Sequence, residues 1–427
     1  MTLIVLFGTF LVLLLLGVPI AFTLAIASLA TVVYMDLPPV VVFQRLSAGI
    51  NVFALMAIPF FIYAGELMLH GGIADRLVRL ANAAIGHIRG GLGLVNVLAS
   101  MLFGGISGSA VADASALGST LIPMMRRKGY DPDYAVNVTV TSATIGLTVP
   151  PSHNMIIYSI AAGGTVSVSS LFLAGMVPGI LTGLCLMVAA YVVARRRGYP
   201  AEPRQALAVI FTTFAVALPG LLVAIIIIGG VLTGIFTATE SSAIAVIYAI
   251  VVTLIGYRSL TWEAFVKATL GAVRTTAMVL LVIGSAAAFG WLLALNQVPA
   301  QLFDLLQAIS QNPLVILLII NIILLFLGTF MDMSPLIVIT TPIFLPVVQQ
   351  LGMDPVQFGI VLMINLGIGL VTPPVGSVLF VGCAVAKIRI EETVRTIWPF
   401  YLALLVALVL VTYIPAVSMT LPNLVAQ

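Results

Sequence analysis

The chain has 427 residues, of which 62% are hydrophobic and only 7% charged, with a formal net charge of +3. A mean hydropathy of +1.25 and recurring apolar runs of about 18 residues or more exclude a water-soluble protein and indicate a polytopic helical membrane protein. No ten-residue units alternate apolar and polar positions, which argues against a β-barrel, and the small positive charge carries no nucleic-acid signal.

Spanning helices are predicted over 1–35, 50–70, 133–160, 168–194, 206–228, 232–256, 275–295, 355–386 and 397–421. The first run would be about 50 Å long and exceeds the membrane, so a tilt or break is expected near Gly17 and Pro19. Met1 to Tyr34 has no basic leader and no small-residue cleavage site before a polar chain, so it reads as a membrane helix rather than a signal peptide. Stretches 37–49, 74–88 and 258–270 read as interfacial helices, the last (RSLTWEAFVKATL) for its mixture of charges with Trp. Cys185 and Cys383 both fall inside apolar runs and read as small buried hydrophobes, not as a disulfide or metal framework.

Two further segments, 91–125 and 313–348, are long enough for two crossings only if both are short. They belong to a repeat. The stretch from Phe103 to Asn154 recurs without a gap 223 positions later, Phe103 falling on Phe326. Gly105/Gly328, Pro123/Pro346, Gly129/Gly352, Asp131/Asp354, Pro132/Pro355, Gly146/Gly369, Pro150/Pro373 and Pro151/Pro374 coincide. Shared Leu and Val would mean little in so apolar a chain; a shared Gly and Pro skeleton indicates an internal duplication.

Flanking charge assigns the topology. Segment 91–125 lies between Arg76, Arg79 and Arg89 on one side and Arg126, Arg127 and Lys128 on the other, so both ends belong on the cytoplasmic face. Segment 313–348 is flanked by Gln307, Gln311, Asn312, Gln349, Gln350 and Asp354, without Lys or Arg, and should enter and leave from the opposite face. On this arrangement the N-terminus is cytoplasmic, the C-terminus is periplasmic, and only Arg45 of the basic residues lies outside. The span 206–228 separates the halves and inverts the second. Two inverted-topology repeats, each with a re-entrant helical hairpin, are a transporter architecture.

Non-helical backbone at membrane depth is tolerated only where protein, water or an ion satisfies it. The hairpin tips, Ser107–Ser109 and Asp332–Ser334, are such places, and so are the breaks Thr148–Ser152 and Thr372–Gly376. Proline frees carbonyls, and carbonyls with Ser and Thr hydroxyls are hard oxygen ligands for a small cation such as sodium. Ser107, Ser109, Thr148 and Pro150 form one candidate cation region; Asp332, Ser334, Thr372, Pro373 and Gly376 form its counterpart. The amide ends of the half-helices suit an anionic substrate, for which Ser109, Asp113, Ser152, His153 and Asn154 are candidate contacts. His153 and Asn154 correspond to Gly376 and Ser377 in the second repeat, an asymmetry an asymmetric substrate could use. Kinking prolines and a structural histidine are the plainer alternatives.

Four carboxylates lie at membrane depth, where each needs a partner, a proton or water. Asp113 reads as part of a polar network or as a ligand-site residue, and Asp332 as a helix cap, a cation ligand or both. Glu240, after Thr237 and Thr239, reads as a first-turn carboxylate, and Glu66 as structural or interfacial. The sequence contains no HExxH, no phosphate-binding loop and no Ser/His/Asp pattern, so neither catalysis nor ATP hydrolysis is expected.

The motifs FGGISGSAVADASALG, VPPSHNMIIY, GIFTATESSAIAV, MDMSPLIVITTPIFLP and NLGIGLVTPPVG, in this order, resemble the large membrane subunit (DctM type) of tripartite ATP-independent periplasmic (TRAP) transporters. The resemblance covers essentially the whole chain. It implies a sodium-coupled importer of organic acids, among them C4-dicarboxylates, sialic acids and sugar acids, in the bacterial inner membrane. It implies an elevator mechanism and two partners: a small four-helix membrane subunit, expected as a separate chain, and a soluble periplasmic substrate-binding protein. The expected division is 1–89 scaffold, 90–194 first transport part, 195–274 scaffold, and 275–427 second transport part. A standalone carboxylate transporter, an ion channel and a membrane-embedded enzyme are the competing readings.

Overall fold

The computed structural model describes residues 1–425, and among these there is no strand. The N-terminal run is broken where its length requires. Helix α1 (Thr2–Leu15) ends before Gly17, which adopts φ +76°, and α2 (Ile20–Tyr34) starts from Pro19. Three shorter helices follow: α3 (Val40–Ile50), α4 (Ala57–His70) and α5 (Ile73–Ile85).

The first repeat opens with hairpin 1, made of α6 (Gly91–Ser107) and α7 (Ala110–Arg127). It continues through α8 (Pro132–Ala143), a 3-10 turn at Thr144–Leu147, a loop containing Pro150-Pro151, the half-helix α9 (His153–Ala161) and the long α10 (Val168–Arg196). Between the repeats lie α11 (Leu207–Leu232), α12 (Ala238–Val251, prolonged by a π turn), α13 (Trp262–Leu295) and α14 (Val298–Ile309). The second repeat runs through hairpin 2, formed by α15 (Pro313–Gly328) and α16 (Met333–Gln350), then α17 (Pro355–Gly369) and the Pro373-Pro374 loop. The half-helix α18 (Ser377–Ala386), short α19 (Ile390–Val394), α20 (Trp398–Tyr413) and α21 (Pro415–Val425) complete it. Hairpin, helix, Pro-Pro loop, half-helix and long helix thus occur twice in one order, and both Pro-Pro bonds are cis.

The hairpins approach each other from opposite ends. At the base of hairpin 1, Arg126 donates to the Ala386 carbonyl at 3.0 Å, joining it to the end of α18. Arg197, just past α10, pairs with Asp131 at 3.0 Å and Asp133 at 2.8 Å in the same place. The base of hairpin 2 instead meets the end of α9, where Tyr158 donates to the Pro355 carbonyl at 2.6 Å. Basic residues therefore gather at the end shared by hairpin 1, α10 and α18, as their sequence positions predict.

Each hairpin is tied to the helix that follows it. Asn96 donates to Thr139 at 2.6 Å and Ser100 to Ser142 at 3.0 Å; in the second repeat Asn365 donates to Asn321 at 2.8 Å. Nearby, backbones touch at glycine pairs, Gly104 with Gly146 and Gly328 with Gly369, of which Gly146 and Gly369 are equivalent. A Cβ on Gly146 would lie 2.8 Å from the Gly104 Cα, and one on Gly369 would lie 2.5 Å from the Gly328 Cα.

Three boundaries differ from those read in the sequence. Stretch 258–270 is no separate interfacial helix, because Thr261 caps a single helix by accepting from the Ala264 amide at 3.2 Å. No proline follows before Leu295, and Gly271, Gly284 and Gly290 are too weak as breakers to stop propagation that far. The division drawn at 274/275 therefore falls inside α13, which packs against α2, α3 and α4. Segment 397–421 bends by 56° at Pro415, whose ring and missing N–H end α20. Spans 133–160 and 355–386, by contrast, are each split by their Pro-Pro loop at the breaks read in the sequence.

Candidate functional site

Both hairpin tips open on one cavity of about 660 Å³. One wall is built by the repeats: Ser107, Ser109, His153, Asn154, Asp332 and Ser334. The opposite wall comes from α2, α4 and α13 and is largely apolar, with Ile20, Phe22, Ile62 and Met278, interrupted by Glu66 and Thr275. Neither Lys nor Arg occurs among its described lining residues.

Tip 1 is shaped by two local devices. Gly108 ends α6 in the left-handed conformation, φ +60°, which a side chain would strain. Ser109 then caps α7 by accepting from the Ala112 amide at 3.3 Å. The Ser107 hydroxyl donates to Asp113 Oδ1 and accepts from the Ser109 amide at 3.2 Å. Asp113 is fully buried, and its Oδ2 has no protein partner.

The tip rests on the first Pro-Pro loop. A Cβ at Gly105 would come within 2.7 Å of the Pro150 carbonyl oxygen, and one at Gly108 within 3.2 Å of His153 Nδ1. The loop is seated in turn against α10, where a Cβ at Gly179 would lie 2.5 Å from a Val149 methyl. Thr148 is buried with its carbonyl against Gly175, and the buried Ser152 hydroxyl has no protein partner.

Tip 2 rests on the second loop through the Val375 amide, which donates to the Thr329 carbonyl at 3.0 Å. Asp332 occupies the cap position of α16 without a side-chain capping hydrogen bond, and it lines the cavity. Thr372 spends its hydroxyl on the Ile368 carbonyl at 2.7 Å. Gly376, at φ +40°, starts α18 after Pro373-Pro374. Asn154 joins the two repeats: it donates to the Gly108 carbonyl at 3.3 Å and accepts from Ser334 at 3.3 Å.

The structure therefore brings Ser107, Ser109, His153, Asn154, Asp332 and Ser334 to one cavity. Asp113, Thr148, Pro150 and Ser152 lie behind tip 1, whereas Thr372, Pro373 and Gly376 belong to the loop behind tip 2. Glu240 lies elsewhere, in a capping box with Thr237, whose amide donates to it at 2.8 Å. Glu66, read as structural or interfacial, lines the cavity instead. Its signal was a carboxylate in an otherwise apolar helix, but sequence does not show which neighbour that helix faces.

The family model described as "Tripartite ATP-independent periplasmic transporter, DctM component" matches residues 7–417. The chain is 48% identical to protein YgiK of Salmonella typhimurium over 99% of this chain and 98% of that protein. It is 43% identical to the C4-dicarboxylate TRAP transporter large permease protein DctM of Pseudomonas aeruginosa, over 87% and 86% of the two chains. Identity to the sialic acid TRAP transporter large permease protein SiaM of Vibrio cholerae is 40%, over 96% and 95%. Among solved structures, the YdaH transporter of Alcanivorax borkumensis shares the fold, with a TM-score of 0.63, 15% identity and 87% coverage of each chain. The repeated hairpins, the broken helices and a family match along nearly the whole sequence lead to one assignment: the chain belongs to the DctM family, the large permease component of TRAP transporters.

Proposed function

We propose that this large permease imports an organic acid across the bacterial inner membrane, coupled to sodium, by an elevator movement. The observation that carries the reading is the convergence of two hairpin tips, each backed by a Pro-Pro loop, on a cavity with an apolar wall. A polar, fully packed pair of repeats can slide along such a wall without breaking hydrogen bonds to it. The family assignment supports two partners, a small membrane subunit and a periplasmic protein that delivers the acid.

The donors around tip 1 suit a hard monovalent cation. Asp113 Oδ2 and Ser152 Oγ are buried oxygens without protein partners, and Ser107 Oγ lies beside Asp113. Asp332 and Ser334 would serve the second region. A bound sodium ion would supply positive charge against the substrate carboxylate and draw on the membrane potential, about 2.3 kcal/mol per charge per 100 mV. The residues' own work is to hold oxygen ligands in place, to aim the amide ends of α7 and α16 at the cavity, and to keep the two tips in register through Asn154. On this reading the N-terminus lies in the cytoplasm and the C-terminus in the periplasm.

The test is uptake of labelled organic acids into proteoliposomes holding this chain, its small membrane partner and its binding protein, with and without a sodium gradient. Uptake that requires all three proteins and sodium is expected. Vigorous uptake by this chain alone would discard the tripartite reading, and proton-driven uptake would discard the sodium one.

A further inference from the structure

Charge in the cavity narrows the class of acid. Resting on the carboxylate-import reading above, we propose that the permease is built for a hydroxylated monocarboxylate, and that Glu66 excludes solutes with a second carboxylate. One anionic group has a place at the repeat wall, where the first turns of α7 and α16 present amides and the candidate cation regions lie behind. A second anionic group, reaching across the cavity, meets the opposite wall. There the charged side chain is itself a carboxylate, Glu66.

Glu66 is held in place. Its carboxylate lies against Gly271 of α13, where a Cβ would come 3.1 Å from Oε2, and His70 Nδ1 is 3.6 Å away on the next turn of α4. His70 bonds back to the Glu66 carbonyl at 3.0 Å and does not line the cavity. The remaining acidic group on the cavity is Asp332, and no described lining residue is Lys or Arg. A second substrate carboxylate would therefore be desolvated without a cationic partner and against a like charge, the costliest arrangement for an ion. A hydroxyl in the same place donates its proton to Glu66 and accepts from the Thr275 hydroxyl of the same wall. The same hydroxyl-rich substrate finds acceptors at Asn154 and Ser334. Glu66 is a specificity-determining residue on this account, acting by direct contact with the far end of the substrate.

The experiment reads binding at the permease itself, so that the periplasmic protein does not filter the panel. The purified complex of the two membrane subunits is titrated in sodium with gluconate and with succinate, and thermal stabilisation gives an apparent affinity for each. The expected result is gluconate favoured over succinate by at least about tenfold, the size of one unrelieved like-charge contact. Glu66→Gln should shrink that ratio toward one by improving succinate. Equal affinities in the wild-type complex, or a ratio unchanged by Glu66→Gln, would overturn the inference while leaving carboxylate import standing. Stabilisation by neither acid, nor by any other carboxylate tried in sodium, would remove the import reading and this inference with it. Should Glu66→Gln fail to assemble, the wild-type ratio alone decides.

Discussion

Asn154 is the residue on which the two repeats depend for contact at the cavity. Its amide uses both ends, one on the tip 1 backbone and one on Ser334 of tip 2. Asn154→Ala removes two hydrogen bonds of about 1 kcal/mol each, and transport should fall by about tenfold or more, while the membrane-inserted amount stays at wild-type level. Uptake assays normalised to protein in the vesicles check this. The glycines make a different demand. At Gly369 a methyl group would collide with backbone rather than with a movable side chain, so Gly369→Ala should cost about 1–3 kcal/mol. A lowered melting temperature of the purified protein is the readout.

The Asp133 carboxyl carries a pH dependence of its own. Burial alone would raise it, but hydrogen bonds from Arg197 and Thr396 and the guanidinium charge hold it below the ordinary carboxylate range. A depressed carboxylate contributes stability that is present above its unfolded value, about 4, and is lost as pH falls through its folded value. Thermal stability should therefore drop below about pH 4, and Asp133→Asn should flatten that acid limb relative to the wild type. An unchanged limb would assign the acid sensitivity to other groups.

At the scale of elements, the tips and loops act through the geometry of their caps. Ser109 starts α7 by a side-chain bond to its first turn, and Pro373 holds the second loop out of helix. Ser109→Leu and Pro373→Ala should weaken or abolish sodium-dependent uptake without preventing insertion; wild-type sodium affinity in both variants would contradict the proposed regions. The elements themselves were largely legible. Gly17 and Pro19 announced the break between α1 and α2, and the Gly and Pro skeleton announced both hairpins and both loops, because these residues constrain backbone wherever they occur. What sequence hid was packing. The mixed charges and Trp262 of 258–270 looked interfacial, yet a capped, unbroken α13 carries them as the first turns of a longer helix. Asp332 read as a cap, a cation ligand or both, and only the structure shows it on the cavity without a capping hydrogen bond. Glu66 needed α13 and the hairpin tips around it before its surroundings meant anything.

For the whole molecule, the repeat order and the basic residues make one claim about direction. Hairpin 1, the end of α10 and the end of α18 share the end rich in Lys and Arg, while hairpin 2 and the end of α9 share the other. If positive charge marks the cytoplasm, a solvent-facing position beside hairpin 1 and one beside hairpin 2 must lie on opposite sides of the membrane. Lys128 and Gln350 are exposed at those two bases. In a background in which Cys185 and Cys383 are replaced, Gln350→Cys should react with a membrane-impermeant maleimide applied to intact spheroplasts. Lys128→Cys should react only after the membrane is permeabilised. Labelling of both from outside, or of neither, would break the inverted arrangement, and an elevator carrying both tips past a fixed wall would lose its geometric basis. The reverse pattern would keep the inverted halves and turn the whole molecule over, placing the cavity's Glu66 wall, and the termini with it, in the opposite orientation.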